Sequence, residues 1–328
     1  MTPTAGDVHV NTPLTQISIA YTQQASAFVA SRVFPNIPVQ KQSDRYWTYD
    51  RGEFWRDEMQ ERAPGTESAG GGYSVDSTPT YYAPVYAFHK DIPDQVRNNA
   101  DAAINVDRDA TIYCTTKAMI KREKLWVSKF FAASVWTNDW DGVSGSPSTN
   151  EVKQWNDAAS TPIEDVRLFS RTVMQSTGYR PNKMVLGRAV YDALLDHPDI
   201  IDRLKYGQTV GRVAMTDTSA LAALFQVDEI LVMDAVENTA KEGQTATQAF
   251  IGGKKMLLCY APAAPGLMVP SAGYTFSWTG HLGAGAEGNR IKQFRMENLA
   301  SDRVEIEMAF DQKVVSADLG FFLDSAVA

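Results

Sequence analysis

One stretch limits the fold more than any other: INVDRDATIYCTTKAMIKREKLWVSKFFAASVW, residues 104–136. Ile112, Met119 or Ile120, Trp126 or Val127, and Phe130 or Phe131 recur at three-, four- and seven-residue steps, the period of a helix buried along one side. Asp107 and Asp109 fall in its first turn, and Lys121, Arg122, Lys124 and Lys129 lie further along, the order a helix dipole favours. At about 1.5 Å per residue the helix runs roughly 40 Å, long for a globular protein. The pattern predicts a structural spine.

The segment before it is laid out as an arm. PLTQISIAYTQQASAFVASRVF places Leu14, Ile17, Tyr21, Phe28 and Val29 at helical intervals, and the two prolines of FPNIPV stop any helix there. A short amphipathic helix followed by an extended segment is expected. RYWTYD and TYYAPVYAF are aromatic, β-favouring runs that bracket a long insert. From Arg51 to Arg62 the insert alternates charge through Glu53, Arg56, Asp57, Glu58 and Glu61, with Phe54, Trp55 and Met59 among them. APGTESAGGGY then has no capacity to form a core. Loops beyond about 12–15 residues are usually functional or disordered. Large apolar side chains amid alternating charges suit a surface that docks on another protein. A two-stranded ribbon is also barely stable alone. An interaction arm is expected.

Beyond the Ser/Pro/Asn linker SGSPSTNEVKQWNDAASTP an α/β region begins. PIEDVRLFSRTVMQSTG predicts a helix closed at Gly178 with Val166, Phe169 and Val173 inward. NKMVLG and DEILVMDAV are expected as strands, AVYDALLDHPDIIDRL and TSALAALF as helices, and TQAFIGG with KKMLLCYAP as a hairpin. Near the end Val304, Ile306, Met308 and Phe310 alternate with Arg303, Glu305, Glu307 and Asp311, which is strand periodicity. The chain leaves a first domain, builds a second and returns.

Catalytic signals are sparse. GAGAEG, Gly283–Gly288, spells the G-x-G-x-x-G of a dinucleotide site, but that fingerprint needs a helix after the glycines and a βαβ unit to hold it. The strand periodicity that follows argues instead for a loop between two strands. Cys114 and Cys259 are far apart and read as small buried residues of a reduced compartment. His9, His89, His197 and His281 are scattered, with no second ligand at metal spacing. TNDWDGVSGSPS resembles half an EF-hand loop through Asp139, Asp141 and Gly142. Thr137 and Ser148 stand where acidic ligands belong, so turn chemistry is expected there. No cofactor, metal or catalytic residue is assigned. The 328 residues are 44% hydrophobic, and no apolar run reaches the eighteen or so residues of a membrane span. The start of the chain lacks the pattern of a secretory signal. A net charge of −8 argues against a dedicated nucleic-acid binder.

Several phrases together resemble the major capsid proteins of tailed bacteriophages, which share the Hong Kong 97 type capsid fold: VFPNIPVQKQSDRYWTYDRGEFWRDE, RAPGTESAGGGY, AFHKDIPDQVRNNAD, REKLWVSKFF and GYRPNKMVLGRAVYDALLDHPDIIDRLKYG. The resemblance covers nearly the whole chain and implies an α+β fold. Its parts would be an N-arm over 1–37, an extended E-loop hairpin over 38–90, a P-domain with the spine helix over 91–159, an α/β A-domain over 160–282, and return strands of the P-domain over 283–328. KYGQTVGRVAM, from Lys205, would project towards a capsomer axis. The insert would lie across a neighbouring subunit, with Trp47, Tyr49, Arg51, Glu53, Phe54, Trp55, Arg56, Glu58 and Arg62 as inter-subunit contacts.

The resemblance implies a structural, non-enzymatic protein that assembles with itself through pentamers and hexamers into an icosahedral shell. That shell would enclose double-stranded DNA without sequence-specific binding, with no membrane involved. The chain starts directly with the N-arm, so a separate scaffolding protein is expected, besides a portal and a decoration protein. The virion is the expected location, after assembly in the host bacterial cytoplasm. Two other readings stay open: an encapsulin-like nanocompartment shell, and an α/β enzyme using Gly283–Gly288 for a dinucleotide.

Overall fold

The computed structural model describes residues 23–100, 104–206, 217–266, 268–283 and 289–328. Leu14, Ile17 and Tyr21 of the expected N-terminal helix, most of the segment from Lys205 to Met215, and Ala284–Gly288 lie outside them. Among the described residues no helix is long and apolar enough to cross a membrane.

The spine helix is Val106–Phe130, its first turn capped by the Asn105 side chain, which accepts the Arg108 N–H at 3.0 Å. Its buried stripe differs from the expected one. Ala110, Cys114, Ala118, Arg122, Trp126 and Phe130 face inward at steps of four, whereas Ile112 is 42% exposed. The reason is steric. Ala110, Cys114 and Ala118 are small enough to let the helix lie against the long strand Ser301–Val314, so bulky residues mark this seam only near its C-terminal end.

Ser301–Val314 organises a five-stranded sheet. Its first part pairs antiparallel with Asn289–Met296 on one side and Val85–Pro93 on the other. Its last part pairs with Gly273–Trp278, which in turn pairs in parallel with Asn36–Val39. Pro38 is accommodated because that strand lies at the sheet edge. The alternation reads true: Val304, Ile306, Met308 and Phe310 are buried beneath the spine helix. On the other face Arg303 makes a two-point ion pair with Asp91 at 2.7 and 2.9 Å, and Glu307 binds Arg290 at 2.8 Å and Lys292 at 2.6 Å.

A six-stranded sheet forms the second body. Its order is Glu229–Met233, Lys183–Gly187, Met256–Cys259, Gly320–Asp324, Asn138–Val143 and Glu151–Lys153. Its central strands bury both faces, and the side-chain period of two sorts them. Met184, Leu186, Met256, Leu258, Phe321 and Leu323 pack under Pro162–Thr177, Arg188–Leu195 and Thr218–Phe225. Val185, Leu257, Cys259 and Phe322 join Trp126, Phe130 and Phe131 from the end of the spine helix, together with Val29, Val33 and Phe34. The second cluster welds the two bodies.

Sheet pairing does not follow sequence order. Gly273–Trp278 belongs to the sheet under the spine helix, while Asn138–Val143, Glu151–Lys153 and Gly320–Asp324 sit in the six-stranded one. Two local expectations fail for the same reason, non-local pairing. Met256–Cys259 does not form a hairpin with Gln248–Phe250; it lies between Lys183–Gly187 and Gly320–Asp324. The EF-hand-like segment is not a turn but the strand Asn138–Val143, paired with Phe321–Asp324.

Candidate interaction surface

The arm leaves the body through two short antiparallel pairings, Ser43–Arg45 with Thr80–Tyr82 and Thr48–Tyr49 with Val75–Asp76. Its root is fixed by aromatic stacking. Tyr81 lies over Phe276 with ring centroids 4.6 Å apart and planes 7° from parallel, and Tyr46 covers the same ring at 5.7 Å. Buried Asp311 adds a polar tie, accepting the Tyr82 N–H at 3.1 Å and pairing with Lys129 of the spine helix. At the second pairing Asp76 accepts both the N–H and the hydroxyl of Thr78 at 2.9 Å. These bonds hold its carboxyl below the usual range.

Beyond the root the arm buries little. Asp50 caps a single helical turn, Arg51–Phe54, by accepting the Gly52 N–H at 2.8 Å. Glu53 reaches across the tip to the N–H and hydroxyl of Ser74. Tyr49, Phe54 and Tyr73 form an aromatic triangle with centroid separations of 6.2, 6.0 and 5.5 Å. All three remain exposed, as do Trp47 and, at 93%, Met59. A cluster of rings left this open is what partner docking uses, and isolated soluble proteins seldom display it.

The anticipated contact residues divide into three groups. Tyr49, Glu53 and Phe54 build the tip. Trp47, Arg56, Glu58 and Arg62 project outward: Arg56 and Glu58 pair at 3.9 Å with both side chains about half exposed or more, and Arg62 donates to the Thr66 carbonyl. Arg51 and Trp55 touch the body of their own chain. Arg51 pairs with Asp318 at 2.6 Å, and the Trp55 ring lies against Gly178. Tyr73 and Asp318 were missed. Tyr73 closes the Gly-rich tract, where no periodicity marks it, and Asp318 is over two hundred residues from its partner.

Elsewhere a serine–histidine contact resembles a catalytic pair. Buried Ser160 and His197 stand 3.0 Å apart. His197 Nδ1 accepts the Asp199 N–H at 3.2 Å, which leaves the ring proton on Nε2, facing Ser160 and the Asp157 carbonyl. A ring in that tautomer has no lone pair with which to activate the hydroxyl. The dinucleotide reading loses its support too. Asn289–Met296, directly after the glycines, is a strand paired with Ser301–Met308, where the fingerprint needs a helix. Among the described residues no three His, Cys, Asp or Glu side chains gather as a metal site would require.

Comparison with known proteins decides what this architecture is. Residues 145–272 match the family described as phage major capsid protein E. The major capsid protein of Pseudomonas phage JBD67 is 27% identical over 321 residues, 97% of either chain, and that of Burkholderia phage BcepMu is 23% identical over 326 residues, 96% of this chain and 95% of that one. Over nearly its whole length the chain is similar to phage major capsid proteins.

The Hong Kong 97 type of this capsid subunit is equally plain in its shape. A phage-related protein from Bordetella bronchiseptica RB50 superposes with a TM-score of 0.68 at 20% identity, over 93% of both chains. The capsid of cyanophage P-SCSP1u follows with a TM-score of 0.61 at 11% identity, over 97% of this chain and 93% of that one. An encapsulin from Synechococcus elongatus PCC 7942 shares the fold, with a TM-score of 0.57 at 10% identity over 96% and 95%. The role of a major capsid protein is structural, as the material of the phage head.

Proposed function

We propose that this capsid protein assembles through pentamers and hexamers into an icosahedral shell around phage double-stranded DNA, each arm lying across a neighbouring subunit. One observation carries the proposal: an arm fixed rigidly at its root by Tyr81, Phe276 and Asp311 ends in the exposed rings of Tyr49, Phe54 and Tyr73. Trp47, Arg56, Glu58 and Arg62 would then fix register at the contact, since charge at an interface sets specificity more than affinity. A rigid two-sheet body with re-aimable arms suits heterologous contacts that must close into a shell. Residues 1–37 are the N-arm in this reading, and a separate scaffolding protein, a portal and a decoration protein complete the head. Assembly takes place in the host cytoplasm. No catalytic step is assigned to the chain. Its net charge of −8 suits an inner wall that must not trap packaged DNA, whose protein affinity rests on cationic contacts.

The test is light scattering and negative-stain microscopy on the protein expressed alone and together with its scaffolding protein. Closed shells, pentamers or hexamers are expected. A chain that stays monomeric in both settings overturns the proposal. A nanocompartment is the second reading, favoured by the likeness to an encapsulin. Shells that copurify with an enzyme cargo, and are never filled with DNA in infected cells, would decide for it.

A further inference from the structure

Among the described residues two independent features bring the arm tip against its own body. The first is the ion pair of Arg51 with Asp318, which lies in the single 3-10 turn Ala317–Leu319 ahead of the last strand. The second is Trp55 against Gly178, the left-handed cap of helix Pro162–Thr177, with φ +72°. A Cβ at position 178 would stand 3.2 Å from Trp55 Cζ2, tighter than ordinary packing. Glycine therefore ends the helix and also leaves the indole its seat. Helix and turn pack on each other, so Asp318 and Gly178 form one rigid surface.

Between root and tip the ribbon has little to hold it in place. Its two strand pairs are short and separate, joined through the Tyr46 N–H to the Pro79 carbonyl at 3.0 Å. The contact at Asp318 and Gly178 therefore decides where the tip points. It is also weak, because the Arg51 and Asp318 side chains are 45% and 28% exposed.

We propose that Asp318 and Gly178 form a docking seat that holds Arg51 and Trp55 of the same chain, keeping the arm closed on its own subunit until assembly releases it. The proposal rests on the arm being an inter-subunit element. A closed arm cannot reach across a neighbour, although its tip rings stay exposed, so the concentration at which subunits associate rises by the inverse of the open fraction. The latch thereby works against premature or misdirected association, and its weakness lets a neighbour's surface outcompete it.

Two experiments test this on the full-length chain. In the first, Arg51→Cys and Asp318→Cys are joined by a short, reducible bismaleimide; Cys114 and Cys259 are buried and stay silent. The expected result is an intrachain link in the free subunit, no shell formation while it is intact, and assembly once it is reduced. A free subunit that does not crosslink, or a linked subunit that assembles as well as the unlinked one, overturns the latch. In the second, Asp318→Asn is expected to lower the threshold concentration for assembly by about two- to fivefold, the size of an exposed ion pair. Arg51→Asp with Asp318→Arg should return it to the wild-type value. A threshold that rises in Asp318→Asn would make the contact an assembly contact and sink the latch. Failure of the shell reading shows differently: wild-type chains that crosslink internally yet form no shell, even with scaffold and reductant, remove that reading and the latch with it.

Discussion

The Glu123 carboxylate, on the spine helix, accepts the Ala30 backbone N–H at 2.9 Å where neither residue is reached by solvent. Its other oxygen takes the Val29 N–H at 3.1 Å. The short helix Ala30–Val33 has no side-chain cap of its own, so Glu123 supplies one from ninety residues away. Burial pushes this carboxyl up, against the opposing pull of the two N–H groups. Replacing Glu123 with Gln turns an NH2 group towards one of those donors. A loss of about 1–3 kcal/mol in urea unfolding is expected, the cost of a buried unsatisfied group. An unchanged midpoint would show that the segment is held by Val29, Val33 and Phe34 packing alone.

Glu307 predicts how stability responds to acid. Burial raises its carboxyl, but Lys292 and Arg290 outweigh that and bring it down to about 2. A depressed carboxylate stabilises the fold above the ordinary glutamate value near ~4.3, and that contribution is lost as pH falls from there towards 2. Glu307→Gln should therefore be less stable than wild type at pH 7 by about 1–2 kcal/mol, the scale of charged hydrogen bonds reduced by solvent screening, with the gap narrowing steadily below pH ~4. A gap independent of pH would assign the loss to packing.

Gly320 opens the last strand directly beneath Trp136. A Cβ there would fall 2.2 Å from Trp136 Cε3, and the indole cannot retreat because its Nε1 donates to the Phe130 carbonyl at 2.7 Å. Gly320→Ala should cost about 1–3 kcal/mol through overpacking. Thermal melting of the subunit measures it, and a variant that melts with wild type would mean that the strand shifts freely.

Phe54 separates interface from core. It is 48% exposed, and among the described residues its ring neighbours are Tyr49 and Tyr73. Phe54→Ala should leave subunit stability within about 0.5 kcal/mol. Shell yield by sedimentation should nonetheless fall severalfold, as for the loss of an aromatic contact from an interface. A variant that loses solubility and melts early would reassign Phe54 to the fold.

Where sequence reading succeeded, its signals were local. The spine helix, the Gly178 cap, the strands Lys183–Gly187 and Glu229–Met233, and the two-faced strand from Val304 to Phe310 follow from period and capping over neighbouring residues. The arm was legible too, because a Gly-rich tract beside exposed-type aromatics cannot form a core. Ile112 misled because bulk was weighted over fit: the sheet chose Ala110, Cys114 and Ala118 for close approach. The hairpin expected over 247–262 misled because adjacency in sequence stood in for pairing.

By itself, then, the sequence determined the elements, the arm and its composition, and the absence of a helix to complete the glycine fingerprint. Only the tertiary structure decided that Gly320–Asp324 inserts between Met256–Cys259 and Asn138–Val143, that Glu123 caps a helix ninety residues back, and that Arg51 rests on Asp318. Periodicity and caps act within a turn or two of chain, so they are written where they operate. Strand order, buried polar ties and arm placement join residues from about sixty to about 270 positions apart, and are chosen by which surfaces fit once the chain has closed.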